Sequence, residues 1–529
     1  MKPGYLAAID LGTNSFHLII TRLFQNGKSE VVTTERAAVR LGSGGDDMGQ
    51  ILPEARERGI QALKHFVELA RGYKATIHAV ATSALREAPN RQEFLDQARR
   101  ELGLSIQVIE GSEEARLIYL GVVNNLHIAQ EQVLVFDIGG GSTEFVIGQQ
   151  NQVHMAVSLK LGAIRLTNRF FTSNQIQPRE IEECRRYIRV MLSGVAAKVA
   201  ELGYGLAIGS SGTAETLYEM IRSRQSSASP VDLDEPAFDR QALASISSAI
   251  LAYPDAKSRL SMGGLDQKRA DIIVGGVILL EEIFDALNIE TVRISRFALR
   301  EGVVADYINR NSNQGQLARD IRRHSVNHIV ERIHAAGSHQ SQSAQHTRFL
   351  AGRIFDQLLV QKMLPEWMGL DESLLLEYSA QLHNVGLVIA HSAHHKHSYY
   401  MIKNSDRLLG FSRLEIEIIA QICRYHRKKK PTSKHESFAA LDERSQEIVR
   451  WLAGILRIAI GLDRRHQALV EDLGLQQQKD SINLEIKARE SRFRGKAANI
   501  DLEIWAARNS AELLAECIGK PVTIQSAAS

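Results

Sequence analysis

Ile9-Asp10-Leu11-Gly12-Thr13-Asn14-Ser15 closes an apolar run that begins at Tyr5, and Phe136-Asp137-Ile138-Gly139-Gly140-Gly141-Ser142 repeats the same pattern one domain length later. In both stretches a short buried strand delivers an aspartate and then turns on glycine beside small hydroxyl side chains. Glycine lacks a Cβ, so backbone N–H groups in such turns can converge on phosphate oxygens. An aspartate at the end of a buried strand suits a magnesium ion or its waters. Thr13, Ser15, Ser142 and Thr143 add donors at low steric cost. A third loop, Gly209-Ser210-Ser211-Gly212-Thr213, follows a strand and precedes a helix, which brings amides near an anion. Each loop alone is a common tight turn. Together, with the aspartates at matching places, they point to opposed loops that hold consecutive phosphates and a cation at one locus.

Outward from these loops, the first 300 residues alternate strand and helix signals. Residues 15–24 and 30–39 read as strands of a meander, and Pro53 opens a helix with Ile60, Leu63, Val67 and Ala70 on one face. Strands at 76–81 and 105–109 flank a helix from about residue 90 to residue 102, and another helix spans 113–124. The order then restarts with strands at 132–137, 143–147 and 153–159, a long helix near 269–287 and a strand at 291–295. Two α/β lobes are therefore expected, over residues 1–126 and 127–305. Beyond residue 305 the pattern becomes mainly α, with helical periodicity at 373–384, 413–425 and 446–462 and a polar loop at 338–343. A helical domain over 306–475 and a small α+β appendage over 476–529 follow. In the appendage, 481–488 and 499–505 alternate like strands, and the last few residues read as disordered.

Composition narrows the class. A chain of 529 residues with 44% apolar and 24% charged content is globular and multidomain. The 64 Lys and Arg against 61 Asp and Glu leave a net charge of only +3, so any polyanion site must come from local clustering. Cys184, Cys423 and Cys517 are far apart and lack metal-ligand spacing, as expected of free thiols in a reducing compartment. The N-terminus has no charged leader with a cleavage site, and no apolar run approaches the roughly 20 residues that cross a bilayer. A cytoplasmic protein without membrane contact is the expectation.

Four stretches carry a resemblance. They are Asp10-Leu11-Gly12-Thr13-Asn14-Ser15-Phe16-His17, Gly111-Ser112-Glu113-Glu114-Ala115-Arg116, Asp137-Ile138-Gly139-Gly140-Gly141-Ser142-Thr143-Glu144 and residues 295–302. They resemble, in order, the exopolyphosphatase and guanosine pentaphosphate phosphatase family. This implies two ribonuclease-H-like lobes of the actin, Hsp70 and sugar-kinase superfamily around a cleft. From the residues alone, Glu113 and Glu114 at a helix start could serve the helix dipole, while anhydride hydrolysis needs a group that activates water. The resemblance assigns that role to Glu114. It also implies a divalent cation, Mg2+ or another, held by Asp10, Asp137 and Glu144, with a monovalent cation as a further candidate. The substrate-binding set is Thr13, Asn14, Ser15, Arg86, Gly139, Gly140, Gly141, Ser142, Thr143, Ser211, Gly212 and Thr213, with Arg86 as a phosphate clamp. Many relatives carry an acid in the loop before Ala298-Leu299-Arg300-Glu301-Gly302, whereas this chain has Arg296-Phe297. A metal role for that loop is not expected here; Arg296 could face a phosphate, and Arg300 and Glu301 read as a structural ion pair.

In the helical half, Leu382-His383-Asn384-Val385-Gly386, with His346 and Asp463, resembles a His-Asp phosphohydrolase domain whose acidic metal ligand is replaced by Asn384. A neutral amide is a poor ligand for a divalent ion, so a helical scaffold is expected. His394, His395 and Lys396, with Arg424, Arg427, Lys428, Lys429 and Lys430, are candidates for a basic lane that retains inorganic polyphosphate between cuts. Nucleic acid is not the expected polyanion, since no aromatic stacking platform accompanies the cations. An exopolyphosphatase that releases orthophosphate from polyphosphate ends is the expected function, favoured by the basic run at 424–430 because a nucleotide does not need a long lane. The alternatives are a guanosine pentaphosphate phosphatase at the same site and a non-hydrolysing sensor of polyphosphate or of guanosine penta- or tetraphosphate. A sugar-kinase reading lacks an acceptor pocket, and a chaperone reading lacks a β-sandwich after the second lobe. The resemblance also implies a homodimer.

Overall fold

The computed structural model describes residues 3–25, 29–42, 49–126, 128, 131–150, 152–173, 175–224, 236–311, 316–333, 339–405, 407–490 and 498–527. The chain divides into a unit Met1–Ile321 and a unit Arg322–Ser529. In the first unit β1 (Gly4–Leu11), β2 (Phe16–Leu23), β3 (Ser29–Ala37), β4 (Thr76–Ala81) and β5 (Ile106–Val108) form a sheet of order β3-β2-β1-β4-β5. A second sheet holds β6 (Gln132–Ile138), β7 (Thr143–Gln149), β8 (Gln152–Leu159), β9 (Leu206–Ser210), β10 (Ala237–Asp239) and β11 (Thr291–Ile294) in the order β10-β11-β9-β6-β7-β8. Strands β8-β7-β6-β9-β11 repeat β3-β2-β1-β4-β5 in order, and the pair directions β1–β2, β2–β3 and β1–β4 recur in β6–β7, β7–β8 and β6–β9. The motif repeat is thus a repeat of topology, and β10 is an added antiparallel edge.

Both sheets are covered on two faces, which explains why their central strands read as near-continuous apolar runs. Along β1, Ala7, Ile9 and Leu11 pack with Leu63, Phe66 and Phe94, while Leu6 and Ala8 face an inner core. That inner core also takes Val133, Val135 and Val146 from the second sheet. The helices Gly111–Asn125 and Leu299–Asn311 contribute Ala115, Ile118, Val122, Leu299 and Val303 to it. These two helices touch backbone to backbone. A Cβ on Gly121 would lie 2.1 Å from the Ala298 carbonyl oxygen, and one on Gly302 would lie 1.8 Å from that of Leu117. Beside the contact, buried Arg116 donates to Glu113 and to Asp306, each at 2.8 Å, tying the two helices together.

The second unit has its own apolar core. Helices His339–Val360, Leu370–Leu382, Arg413–Tyr425 and Glu443–Gly461 pack with the sheet of β12 (Val470–Gln477), β13 (Ile482–Ala488) and β14 (Val522–Ser526). Two local expectations are corrected. Residues 499–505 are not a strand but enter the helix Asp501–Arg508: Leu502 and Trp505 are exposed, and Ile504 and Ala507 are buried on one helical face. In the appendage 522–526 pairs in parallel with β13, and of the last few residues, expected as disordered, 528 and 529 lie outside the described residues. The polar segment expected as a loop is helical from His339 onward, residue 338 lying outside the described residues. Among the described residues no helix is long and apolar enough to cross a membrane.

The glycine contact makes a sharp prediction. Gly302→Ala forces a methyl group into a backbone carbonyl and is expected to destabilise the protein by about 1–3 kcal/mol through overpacking. Gly352→Ala, where an added Cβ meets nothing within 4 Å in a helix, is expected to be neutral or stabilising by roughly 0.4–1 kcal/mol. Thermal and urea unfolding of the two variants checks the contrast.

Candidate active site: two phosphate loops, four buried acids and an arginine rim

The two repeats build the same turn. Asp10 and Asp137 are each the penultimate residue of their strand, β1 and β6. The Gly12 N–H then donates to the Ser15 carbonyl at 3.2 Å, and the Gly139 N–H donates to that of Ser142 at 3.0 Å. In the first loop the Thr13 and Asn14 carbonyls accept from the Gly42 and Arg40 N–H groups. In the second, the Gly139 carbonyl accepts from Ala163 N–H, and that of Gly140 from Ile164 and Arg165 N–H, at the start of the helix Ala163–Phe170. In a trans peptide the N–H of the next residue points opposite to the carbonyl. Carbonyls drawn outward therefore turn the amides of Asn14, Ser15, Gly140 and Gly141 to the other side.

Both loops line one cavity of about 340 Å³. Asp10, Glu114 and Asp137 line it together, as do Thr13, Asn14 and Ser15. Gly139, Gly140 and Ser142 face it from the second lobe, and Ser211, Gly212 and Thr213 from the third loop. The two aspartates thus share a crevice, as expected. Four expected residues sit behind its wall. Arg86 donates to Glu114 Oε2 at 2.8 Å and to the Ile109 carbonyl at 3.1 Å, so in this state it holds the glutamate rather than clamping a ligand. Thr143 donates to the Leu161 carbonyl, and the Gly141 carbonyl accepts from Arg165. Glu144 pairs across the sheet with Asp137 and accepts from Ser158 at 2.7 Å. Glu113 is turned to Arg116, which separates the neighbouring glutamates by function.

Burial raises all four acids, and Glu114 adds to the rise of the other three. Burial pushes the carboxyl of Asp10 well up, with further upward pressure from Glu114 and Asp137. Burial also raises Asp137 to about 6, against a 2.6 Å hydrogen bond from Ser210 that holds it down. Glu114 is raised by burial against the lowering field of Arg86, and Glu144 by burial and then by Glu114. Asp10 Oδ1 and Glu144 Oε2 are buried without a hydrogen-bond partner. Buried, unpaired carboxylate oxygens are costly, and a cation satisfies such a donor set. Among the described residues no three His, Cys, Asp or Glu form a ready metal cage; magnesium is commonly taken by one or two carboxylates with substrate phosphates and waters.

The cavity is also lined by arginines, of which only Arg296 was expected to face a phosphate, and by Glu215. The arginines are Arg36, Arg269, Arg296 and Arg300, and Arg36 reaches Ser15 Oγ at 3.4 Å. The Arg269 guanidinium lies on Gly212, where a Cβ would come within 1.8 Å of it. Burial and then Arg36 lower Arg269 to about 10. Arg300 pairs with Glu301 at 2.6 Å, as expected, and donates to His17 Nδ1 at 3.3 Å. Burial, then Arg300, Arg36 and Arg269, lower His17 to about 3 and keep it neutral. These cations come from elements far apart in sequence, so only folding reveals the rim. Ser210 was quoted within its loop, and its role as the partner of Asp137 emerges from the β6–β9 pairing.

In the second unit the proposed lane is corrected in part. His394 and His395 are buried, and burial with Arg427 nearby lowers both, His395 to about 4, so neither is an exposed cation. They pack around His426, with His394 Nε2 at 3.2 Å from His426 Nε2. Lys430 is tied to Glu512 and Glu516, and Arg424 stacks over Tyr399. Lys396, Arg427, Lys428 and Lys429 are exposed. His346 lies 3.0 Å from Asp463.

Duplicated lobes with glycine-turn phosphate loops and a shared acidic crevice define a phosphoryl-handling enzyme of the two-lobed α/β type. More narrowly, residues 21–311 match the Ppx/GppA phosphatase family and 321–503 match Ppx/GppA phosphatase domain III, so the chain belongs to that family of phosphoanhydride hydrolases. It is 30% identical over 527 residues to a guanosine-5'-triphosphate,3'-diphosphate pyrophosphatase of Vibrio cholerae, covering 99% of this chain and 98% of the relative. A protein of the same description from Vibrio vulnificus is 31% identical over 490 residues, 92% of this chain and 93% of its own length. Among solved structures, an exopolyphosphatase from Cytophaga hutchinsonii is 28% identical with a TM-score of 0.53, covering 58% of this chain and 98% of that one. An Aquifex aeolicus member of the Ppx/GppA family is 27% identical with a TM-score of 0.50, covering 59% of this chain and 100% of its own.

The acid cluster dictates a pH response in the chelator-treated protein. A carboxyl raised above its unfolded value stabilises the fold below the unfolded pKa, and that contribution is lost as pH rises through the folded value. For Asp137 the window runs from about 4 unfolded to about 6 folded. Asp137→Asn is expected to flatten the decline in melting temperature over this window relative to the parent protein. Melting curves against pH in chelator check this; an unchanged slope counts against the raised carboxyl.

Proposed function

We propose that the cavity hydrolyses a terminal phosphoanhydride, with Glu114 activating water and guanosine pentaphosphate as the first candidate substrate. The observation that carries this reading is Glu114 itself, buried in the cavity that both phosphate loops line and held by Arg86. The Arg86 guanidinium opposes the upward push of burial on Glu114, which favours the carboxylate that accepts a proton from attacking water. Amides turned inward by the two loops, with Thr13 and Ser142, bind the transferred phosphoryl oxygens. Arg36, Arg269 and Arg300 receive the remaining phosphates of the chain. Asp10 and Asp137, backed by Glu144, would hold a divalent cation, which supplies charge neutralisation for the leaving phosphate. Ser210 orients Asp137 for that task.

Guanosine pentaphosphate stands first because the proteins named for it match this chain along nearly its whole length. Linear polyphosphate is the second reading, favoured by the exopolyphosphatase likeness of the first unit and by exposed Lys396, Arg427, Lys428 and Lys429. With both substrates assayed at matched concentrations, faster phosphate release from guanosine pentaphosphate supports the first order, and the reverse supports the second. Glu114→Gln is expected to bind substrate but lose about 10²–10⁴-fold in kcat, the usual contribution of a positioned base; parental kcat in that variant removes Glu114 from the role.

A further inference from the structure

We propose that Arg165 is a positioning residue that sets the polarity of the second phosphate loop and fastens it to the opposite lobe. The inference rests on the site described above and adds a residue that no motif singled out. Arg165 is 2% exposed, in the first turn of the helix Ala163–Phe170. Its Nε donates to the Gly141 carbonyl at 2.8 Å, and its Nη2 donates to Glu87 Oε1 at 2.8 Å.

Three successive carbonyls of the loop are thereby drawn the same way. Those of Gly139 and Gly140 accept from backbone N–H groups at the helix start, and that of Gly141, one residue beyond their reach, accepts from the Arg165 side chain. Because each carbonyl opposes the N–H that follows it, this third bond turns the Ser142 amide toward the side where Gly140 and Ser142 line the cavity. Gly162 permits this close approach, since a Cβ there would lie 2.3 Å from the Gly140 oxygen. The first loop does the equivalent work with backbone groups of Arg40 and Gly42. The second relies on a side chain.

The other end of Arg165 reaches across the cleft. Glu87 closes the short helix Ser83–Glu87 of the first lobe and is the neighbour of Arg86, which holds Glu114. One guanidinium therefore bonds both to the phosphate loop of the second lobe and to the helix that carries the holder of the base. Lysine cannot replace it, because an ammonium has no planar fork that serves two acceptors in fixed directions. Glu87 has a second partner, the exposed Lys160 at 2.7 Å.

The test uses the full-length protein with guanosine pentaphosphate and polyphosphate as substrates and inorganic phosphate as the inhibitor. Arg165→Lys is expected to lower kcat/KM by about 10²-fold, the scale of one lost oxyanion donor, and to weaken phosphate inhibition at least about tenfold, with the melting temperature within a few degrees of the parent. Lys160→Ala is expected to leave all three unchanged. In Arg165→Ala, millimolar guanidinium is expected to restore part of kcat/KM, which a merely structural ion pair would not show. Parental kcat/KM and phosphate inhibition in Arg165→Lys, or a failure of guanidinium to restore activity in a folded Arg165→Ala protein, overturns the inference. Glu114→Gln assayed in parallel separates the two levels: turnover lost there but intact in Arg165→Lys sinks only the Arg165 role, whereas turnover retained in Glu114→Gln sinks the site and this inference with it.

Discussion

The contact between two helices, at Gly121 and Gly302, is the constraint on which the rest of the first unit hangs. With no Cβ at either position the backbones close to contact, and both sheets then share a single inner core. The same approach orients the site. Glu113 and Glu114 are adjacent on one of these helices, about 100° apart around its axis. Once Arg116 ties Glu113 to Asp306 at the helix contact, Glu114 is turned into the cavity toward Arg86. A structural ion network and a candidate catalytic carboxylate are thus two faces of one helix.

Opposed charge organises the cavity. Four carboxyls gather at the cavity and are all pushed toward the protonated form, and several guanidinium groups lie among its lining residues. Each set is unfavourable alone, since like charges in a buried setting repel without the screening of water. On the proposed function, a cation beside the acids and a chain of phosphates beside the arginines would relieve both at once. The lobes have diverged to make this possible. Asp10 faces His17 across β1 and β2, whereas Asp137 faces Glu144 across β6 and β7. The first lobe therefore offers a neutral ring under the arginine rim, and the second offers an extra acid.

The duplicated α/β order, the two aspartate turns and the third loop were legible in the sequence because each is local: a strand, a glycine turn and a hydroxyl within a few residues. The errors were of two kinds. In 499–505 the alternation of apolar and polar residues suited a strand, yet the acidic first turn and the burial of Ile504 and Ala507 belong to a helix. The cationic run around His394 looked like an exposed lane, but His394 and His395 are buried, and burial with Arg427 nearby lowers both. Arg86 was expected to contact substrate; its hydrogen bond to Glu114 adds a partner that the motif did not reveal.

The amino-acid sequence by itself determined the repeat, the chemistry of the loops and the family to which they belong, because those depend on residue type and short spacing. Tertiary structure alone decided which charges meet. Arg36, Arg269 and Arg300 come from three remote elements, Ser210 reaches Asp137 through a parallel strand pair, and Arg165 joins a loop to a helix of the other lobe. Electrostatic and hydrogen-bonding partners are chosen by distance in space, and distance along the chain carries almost no information about it once two sheets have closed on the same pair of helices.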